Sequence, residues 1–318
     1  MKVVFMGTPE FAVAVLDSIR THGHEVVGVV TTPDKPAGRG QRIRFSDVKT
    51  YALDHGLFLM QPEKLKDEAF VQQLQQLQAD VFVVVAFRML PKQVYAIPPK
   101  GTFNVHASLL PQYRGAAPIQ WAVMNGETES GVTTFLLDEH TDTGAVLARK
   151  AVPVTREDTA GTLHDKLMHA GAALAVETLQ LLSADNVQTF PQSNTGKLKP
   201  APKIFRKDMH IDWNDTAEHI YNQVRGLSPY PAAFSIIKSI ENGEEHDLNL
   251  KILSCQITGK KSTGKPGAIT ILDNEMMLVS TKDDEIAIAE LQLEGKKRLE
   301  TSKFLAGFRK ENFILELF

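Results

Sequence analysis

The run from Asp80 to Ala86, DVFVVVA, constrains this chain more than any other stretch. It has no polar side to turn toward water, so it reads as a strand buried on both faces, near the centre of a sheet. Val3 to Met6 is a second compact apolar run, closed by the turn residues Gly7-Thr8-Pro9. Between it and a third such run, Val26 to Thr31, the segment Glu10 to Thr21 places Phe11, Val15, Leu16 and Ile19 on one helical face. Strand, helix, strand in this order predicts a parallel sheet with right-handed crossovers. No G-x-G-x-x-G follows a strand, so a dinucleotide site is not supported. Further on, Asp47 to His55 and Ala69 to Gln78 read as helices and Leu57 to Met60 as a strand. Thr159 to Leu182 is a long helix with Leu163, Leu167, Ala170, Leu174 and Leu181 along one side.

From Gln188 to Lys203 the pattern breaks. Pro191, Pro200 and Pro202 alternate with Ser193, Asn194, Thr195 and Gly196, a mix that suits a connection and not an element. Beyond a helix at Thr216 to Gly226 come five short runs: Ala233–Ile237, Leu248–Ser254, Gly267–Leu272, Met276–Ser280 and Ile286–Leu293. Short strands with turns between them predict a small β-barrel, followed by a last helix at Thr301 to Gly307. The expected organisation is an α/β domain over 1–190, a linker over 191–207, and a β-barrel domain over 208–318.

Composition excludes several classes. At 318 residues, 43% hydrophobic and 23% charged, the chain is an ordinary globular one with room for two cores. Its net charge of −3 and pI near 6.4 do not make the global field of a nucleic-acid binder, so any RNA contact must be local. Residues 1–205 balance 20 basic against 20 acidic side chains, and residues 206–318 carry 15 against 18. A single cysteine, Cys255, rules out an internal disulfide and a cysteine metal cluster, and reads as a core residue. His164 and His169 lie on the long helix without spaced partners and no H-E-x-x-H occurs, so no metal is expected. No apolar run approaches the roughly eighteen residues of a membrane span, and Met1 leads straight into a strand without a signal-peptide core. A cytoplasmic protein is expected.

Chemistry concentrates between Gly101 and Leu147. In the strand Thr102 to His106, alternation puts Asn104 and His106 on one face. A second strand, Gly131 to Leu137, leads into the polar loop Asp138 to Gly144. An amide, an imidazole and a carboxylate near the mouths of neighbouring strands suit general acid–base work. Asn104-x-His106 alone reads more readily as a strand edge with two satisfied polar side chains.

The ordered set Asn104-x-His106, Ser108-Leu109-Leu110-Pro111, Arg114-Gly115-Ala116-Ala117-Pro118 and Asp142-Thr143-Gly144 resembles the core of the folate-dependent formyltransferases. With Ile119-Gln120-Trp121 added, it is most similar to the branch that acts on methionyl initiator tRNA. That resemblance implies a Rossmann-like catalytic domain followed by an OB-like β-barrel. It implies formyl transfer from 10-formyltetrahydrofolate to an amine, a monomer, and Asn104, His106 and Asp142 as the catalytic trio. Ser108, Leu109, Leu110 and Pro111 correspond to the tetrapeptide that touches the folate. Arg88-Met89-Leu90 matches an Arg-Ile-Leu that lines the pterin pocket in related glycinamide ribonucleotide formyltransferases. Many members of the methionyl-tRNA branch carry a longer, Tyr-Gly-containing version there. Which group takes the amine's proton stays open between His106 and Asp142 acting through water.

The segment Thr32 to Ser46 holds Lys35, Arg39, Arg42 and Arg44 among two prolines and two glycines, which argues against any buried element. A solvated surface loop and an arm that meets a phosphate backbone both fit. Gly38-Arg39-Gly40 matches the inserted loop that reaches the tRNA acceptor stem in the same branch, so Lys35, Arg39 and Arg42 are the expected tRNA contacts. In the barrel, the basic residues expected to meet RNA are Lys296-Lys297-Arg298 first and Lys260-Lys261 second. A small-amine formyltransferase, a formyltetrahydrofolate hydrolase and a non-catalytic folate or RNA binder are the alternatives.

Overall fold

The computed structural model describes residues 1–37, 42–185, 187–193 and 195–318. They form two compact units. The first comprises Met1–Pro118, Glu129–Pro153 and His164–Pro202, the second Ile119–Thr128, Val154–Leu163 and Lys203–Phe318.

The strands of the first unit are β1 Lys2–Gly7, β2 Glu25–Val30, β3 Lys35–Ala37, β4 Arg42–Arg44, β5 Leu59–Met60, β6 Val81–Val85, β7 Thr102–His106, β8 Glu129–Leu136 and β9 Val146–Pro153. Seven of them form one sheet in the order β5-β2-β1-β6-β7-β8-β9. β6 is the middle strand and every one of its side chains is buried, as its unbroken apolar run predicts. The sheet is parallel from β5 through β7, whereas β8 and β9 run antiparallel. This departs from a purely parallel reading at β8, which is antiparallel to both neighbours; its return into β9 is too short for the crossover a parallel pair needs.

Alternation divides the core. Val4 and Met6 of β1 share a layer with Phe82 and Val84 of β6, packed under Phe70 and Leu74 of the helix Glu68–Gln76. The helix Glu10–Thr21 buries Phe11, Val15, Leu16 and Ile19, the face its spacing predicts. Burying each such side chain stabilises by about 1.5–3 kcal/mol.

Where the sequence suggests an unstructured basic loop, β3 and β4 make a two-stranded antiparallel ribbon, with Lys35 opposite Arg44. The stretch 188–203 also differs from expectation. Its described residues form no helix and no strand beyond isolated bridges, yet as far as Pro202 they belong to the first unit. Phe190 and Val146 exchange backbone hydrogen bonds of 2.8 and 2.9 Å, Tyr113 N donates to Lys199 O at 2.7 Å, and Ala201 N to Arg114 O at 2.9 Å.

The second unit adds β10 Ala233–Glu241, β11 Glu244–Lys261, β12 Ile269–Leu272, β13 Met276–Ser280, β14 Asp284–Leu293, β15 Leu299–Glu300 and β16 Phe313–Leu317. Its sheet runs β12-β13-β14-β11-β10-β16 and nearly closes on itself, since Ala268 beside β12 bridges Glu316 of β16. The barrel is expected, but two of its parts are not. β10 and β11 are much longer than predicted, meeting at Asn242-Gly243, both in the left-handed region (φ 52° and 82°) that a tight hairpin demands. β16 was not anticipated, because its pairing with β10 is supplied only by the folded barrel.

The helix Ala217–Leu227 presents Ile220, Val224 and Leu227 to the barrel core with Trp213, whose indole N–H donates to Ser235 Oγ at 2.9 Å. The buried Arg225 guanidinium donates to Asp158 O at 3.0 Å and Asn222 Oδ1 at 2.8 Å, which secures the segment Val154–Leu163 in this unit. Cys255 is buried, and desolvation pushes its thiol up to about 12. No helix among the described residues is long and apolar enough to cross a membrane.

Candidate active site

β6 and β7 are parallel neighbours, so their carboxyl ends open on the same edge of the sheet. That edge is where ligands bind in open α/β sheets. Phe103 and Val105 are buried on one face of β7, and Asn104 and His106 lie on the other. Asn104 Oδ1 is buried without a hydrogen-bond partner. Leaving such an acceptor unpaired costs about 1–3 kcal/mol, which marks it for a ligand.

The His106 ring is buried, with the edge of Phe135 against it at 6.5 Å and 81°. Its Nε2 lies 2.9 Å from the Tyr113 carbonyl. A carbonyl only accepts, so Nε2 carries the proton and the lone pair of the neutral ring sits on Nδ1. Nδ1 is 3.9 Å from Asp142 Oδ2, inside ion-pair range and too long for a direct hydrogen bond. The structure therefore brings the carboxylate to the imidazole across thirty-six residues of sequence.

Asp142 is held by its surroundings. Its backbone is in the left-handed region at φ 56°, a conformation that costs a non-glycine residue roughly 1–2 kcal/mol. Its Oδ2 accepts from Gly115 N at 3.0 Å. The Asp138 carboxylate closes the same loop, accepting from His140 N at 2.9 Å and from Thr143 Oγ1 at 2.8 Å. Gly144 is required, since a Cβ there would fall 1.7 Å from Leu136 O; one at Gly115 (φ 128°) would fall 2.3 Å from Ala201 O.

The Ser108–Pro111 turn is built from inside. Thr133 Oγ1 donates to Ser108 O at 2.7 Å and accepts from Leu110 N at 3.1 Å, while Ser108 Oγ donates to Gln112 O at 2.7 Å. Ser108 and Leu110 are buried, Leu110 against Phe135 and Val146. Leu109 and Pro111 are the partly exposed members. After β6, Arg88 donates to Glu63 O at 3.0 Å and Pro62 O at 2.8 Å, and burial holds its guanidinium below the usual arginine range. Met89 is 72% exposed, whereas Leu90 is in the core layer under β1 and β6.

Of the expected tRNA contacts, Lys35 is exposed on β3, Arg42 pairs with Ala37 in the ribbon, and Arg39 lies outside the described residues. The base of the ribbon is bolted. Thr31 and Ser46 share a hydroxyl hydrogen bond of 2.8 Å, Gln61 Nε2 donates to Asp34 Oδ1 at 2.9 Å, and Lys49 pairs with Asp34. In the barrel, Lys260, Lys296 and Lys297 are exposed, but Lys261 is paired with Asp284 at 2.8 Å and Arg298 with Glu290. Two contributors escape sequence reasoning. Thr133 is a strand residue among strand residues, and Gln192 lies in the apparent linker. Neither has a motif or period to announce it.

An α/β domain with an amide, an imidazole and a carboxylate gathered at the strand ends suits acid–base chemistry on a bound substrate, and the comparisons place the chain among group-transfer enzymes. It belongs to the formyl transferase family, matching the Formyl transferase model over residues 1–179 and its C-terminal domain model over residues 203–309. Among curated proteins it is 49% identical over 311 residues to a methionyl-tRNA formyltransferase of Bacteroides fragilis, covering 97% of this chain and 95% of that one. To the methionyl-tRNA formyltransferase of Flavobacterium johnsoniae it is 44% identical over 307 residues, covering 96% of each. Among solved structures, the N-formyltransferase of Helicobacter canadensis with folinic acid and dTDP-3-aminofucose superposes at TM-score 0.64 and 21% identity, over 91% of this chain and 98% of that one. HypX of Aquifex aeolicus with tetrahydrofolic acid gives 0.64 at 18% identity, over 98% of this chain and 48% of that one. These two share the fold.

Proposed function

We propose that this chain transfers the formyl group of 10-formyltetrahydrofolate to the amino group of methionine carried on initiator tRNA. The observation that carries the reading is the approach of Asp142 to Nδ1 of His106 on the strand that also bears the unpaired Asn104 acceptor. Near-half identity over the whole length to methionyl-tRNA formyltransferases supports the choice of acceptor. The catalytic role falls to the α/β part within 1–190, and the tRNA is gripped by Lys35, Arg39 and Arg42 of the basic segment and by the barrel of 208–318. The protein acts as a monomer in the cytoplasm.

The residues suit such a donor. The exposed Met89 and the partly exposed Leu109 and Pro111 offer apolar surface beside the strand ends, and the SLLP turn offers backbone polar groups. When bound, the folate supplies a formyl carbon on a nitrogen able to leave. Asn104 hydrogen-bonds the reacting groups: its amide N–H donates to the formyl oxygen as negative charge grows there, a contribution typically of about 3 kcal/mol. With Nε2–H committed to Tyr113 O, Nδ1 is the atom of His106 free to accept the amine's proton. A proton taken up there would lie between the ring and the Asp142 carboxylate, which Gly115 N keeps aimed. Asp142 thus acts on His106 by charge, favouring the protonated ring, while the Tyr113 carbonyl sets the ring's orientation. Holding amine and formyl carbon together makes the attack effectively unimolecular.

Incubation with charged initiator tRNA and formyl-labelled donor should carry label onto the methionine nitrogen. Label found only on small amines, or released as formate, would overturn the reading.

A further inference from the structure

From the position of one amide in the apparent linker, we infer that Gln192 is a positioning residue for Asp142. The inference rests on the proposed role of that carboxylate. Gln192 Nε2 donates to two backbone carbonyls of the TDTG loop, Asp142 O at 3.0 Å and Gly144 O at 2.8 Å. Its Oε1 accepts from Arg114 twice, at 3.1 Å from Nε and 2.7 Å from Nη2. Both amide hydrogens and both lone pairs are therefore used. The reverse orientation would set the NH2 against a guanidinium and the oxygen against two carbonyls, so the amide has one stable setting.

The consequence reaches the carboxylate. Asp142 stands in the left-handed region, which a non-glycine residue holds only when its surroundings impose it. Gln192 ties the carbonyl of that very residue and the one two positions on, bracketing Thr143. Arg114 directly precedes Gly115, whose N–H donates to Oδ2 of the same aspartate. Arg114-Gly115 thus grips the carboxylate by its backbone and the loop through Gln192. One arrangement sets both the backbone and the side chain of Asp142, and through them its 3.9 Å approach to His106 Nδ1. The linker carries this residue because Phe190 and Ala201, on either side of it, are tied to Val146 and Arg114.

Two variants test it with charged tRNA as acceptor. Gln192→Met keeps length and loses all four hydrogen bonds. Gln192→Glu keeps the acceptor for Arg114 but sets a carboxylate oxygen against the two loop carbonyls in place of the donors. Both should lower kcat roughly 10- to 100-fold with KM for each substrate within about threefold, since small misplacement of a reacting group costs up to about that much. Should Gln192→Met fail to fold, Gln192→Glu alone supplies the reading. In an Asp142→Asn background, the further loss from Gln192→Glu should shrink to about threefold or less, because residues acting through one group are not additive. Wild-type kcat in Gln192→Glu, or full additivity with Asp142→Asn, would overturn the inference. Unchanged activity in Asp142→Asn itself would instead overturn the assignment of the aspartate.

Discussion

Two polar segments of the first unit follow strands and are treated in opposite ways. The loop from Asp138 to Gly144 is tied at nearly every residue: to Asp138, to Gly115 N, to Gln192, and by a glycine with no room for a side chain. Among the described residues of the basic segment from Thr32 to Ser46, the side-chain ties lie at its base, Thr31 with Ser46 and Asp34 with Lys49 and Gln61, while Lys35 and Arg44 face solvent. The difference follows from the work each is proposed to do. Proton transfer needs atoms placed to a fraction of an ångström. Attraction to a phosphate backbone needs charge at the surface, and acts over about a Debye length.

The comparison can be broken at its rigid end first. His106→Ala should cost about 10²–10⁴-fold in kcat and Asn104→Ala about 10²–10³-fold, with folded protein by circular dichroism. Wild-type rates in both would remove the site from β7. Gly144→Ala should destabilise the first unit by about 3 kcal/mol in denaturant titration, the upper part of the ordinary range, because Leu136 O occupies the space. An unchanged midpoint would mean the TDTG loop is not held as described.

The solvent-facing end should respond more gently. Lys35→Ala and Arg39→Ala should each raise KM for charged tRNA several-fold, spare folate binding, and flatten the dependence of log activity on log salt by about one unit or less per cation. Equal loss of folate affinity would move the ribbon into the folate site. The smallest effect belongs to the ribbon's base. Lys49 first, and Gln61 second, hold the Asp34 carboxyl below its ordinary value of 3.8. A depressed carboxyl stabilises the fold above the unfolded pKa and loses that contribution as pH falls through the folded one. Asp34→Asn should therefore melt slightly below wild type at neutral pH, and the gap should close as pH falls below about 4. A gap that widened in acid would contradict the assignment.

Much of the fold was legible because its signals are local. β6 needs no partner to be recognised as buried, and the helix Glu10–Thr21 shows its inner face in four residues. The long β10–β11 hairpin had a local signal too, Asn242-Gly243, that the strand assignments around it passed over. β16 had none, since a terminal strand exists through what it pairs with. The same division runs through the site. The Asn104-x-His106 spacing places both side chains on one face by the period of a strand alone. Nothing in periodicity distinguishes Thr133 from Thr134, or Gln192 from its neighbours in a breaker-rich stretch.

The amino-acid sequence by itself determined the parallel core, the barrel, the turn glycines and the residue types at the site, because these follow from hydrophobic period, backbone sterics and motif order within short windows. Only the tertiary structure decided that Nδ1 of His106 meets Asp142, that Nε2 is committed to Tyr113 O, and that Arg114 and Gln192 brace the carboxylate. Those relations depend on distances in the folded chain, most of them between residues far apart in sequence, which no local pattern encodes.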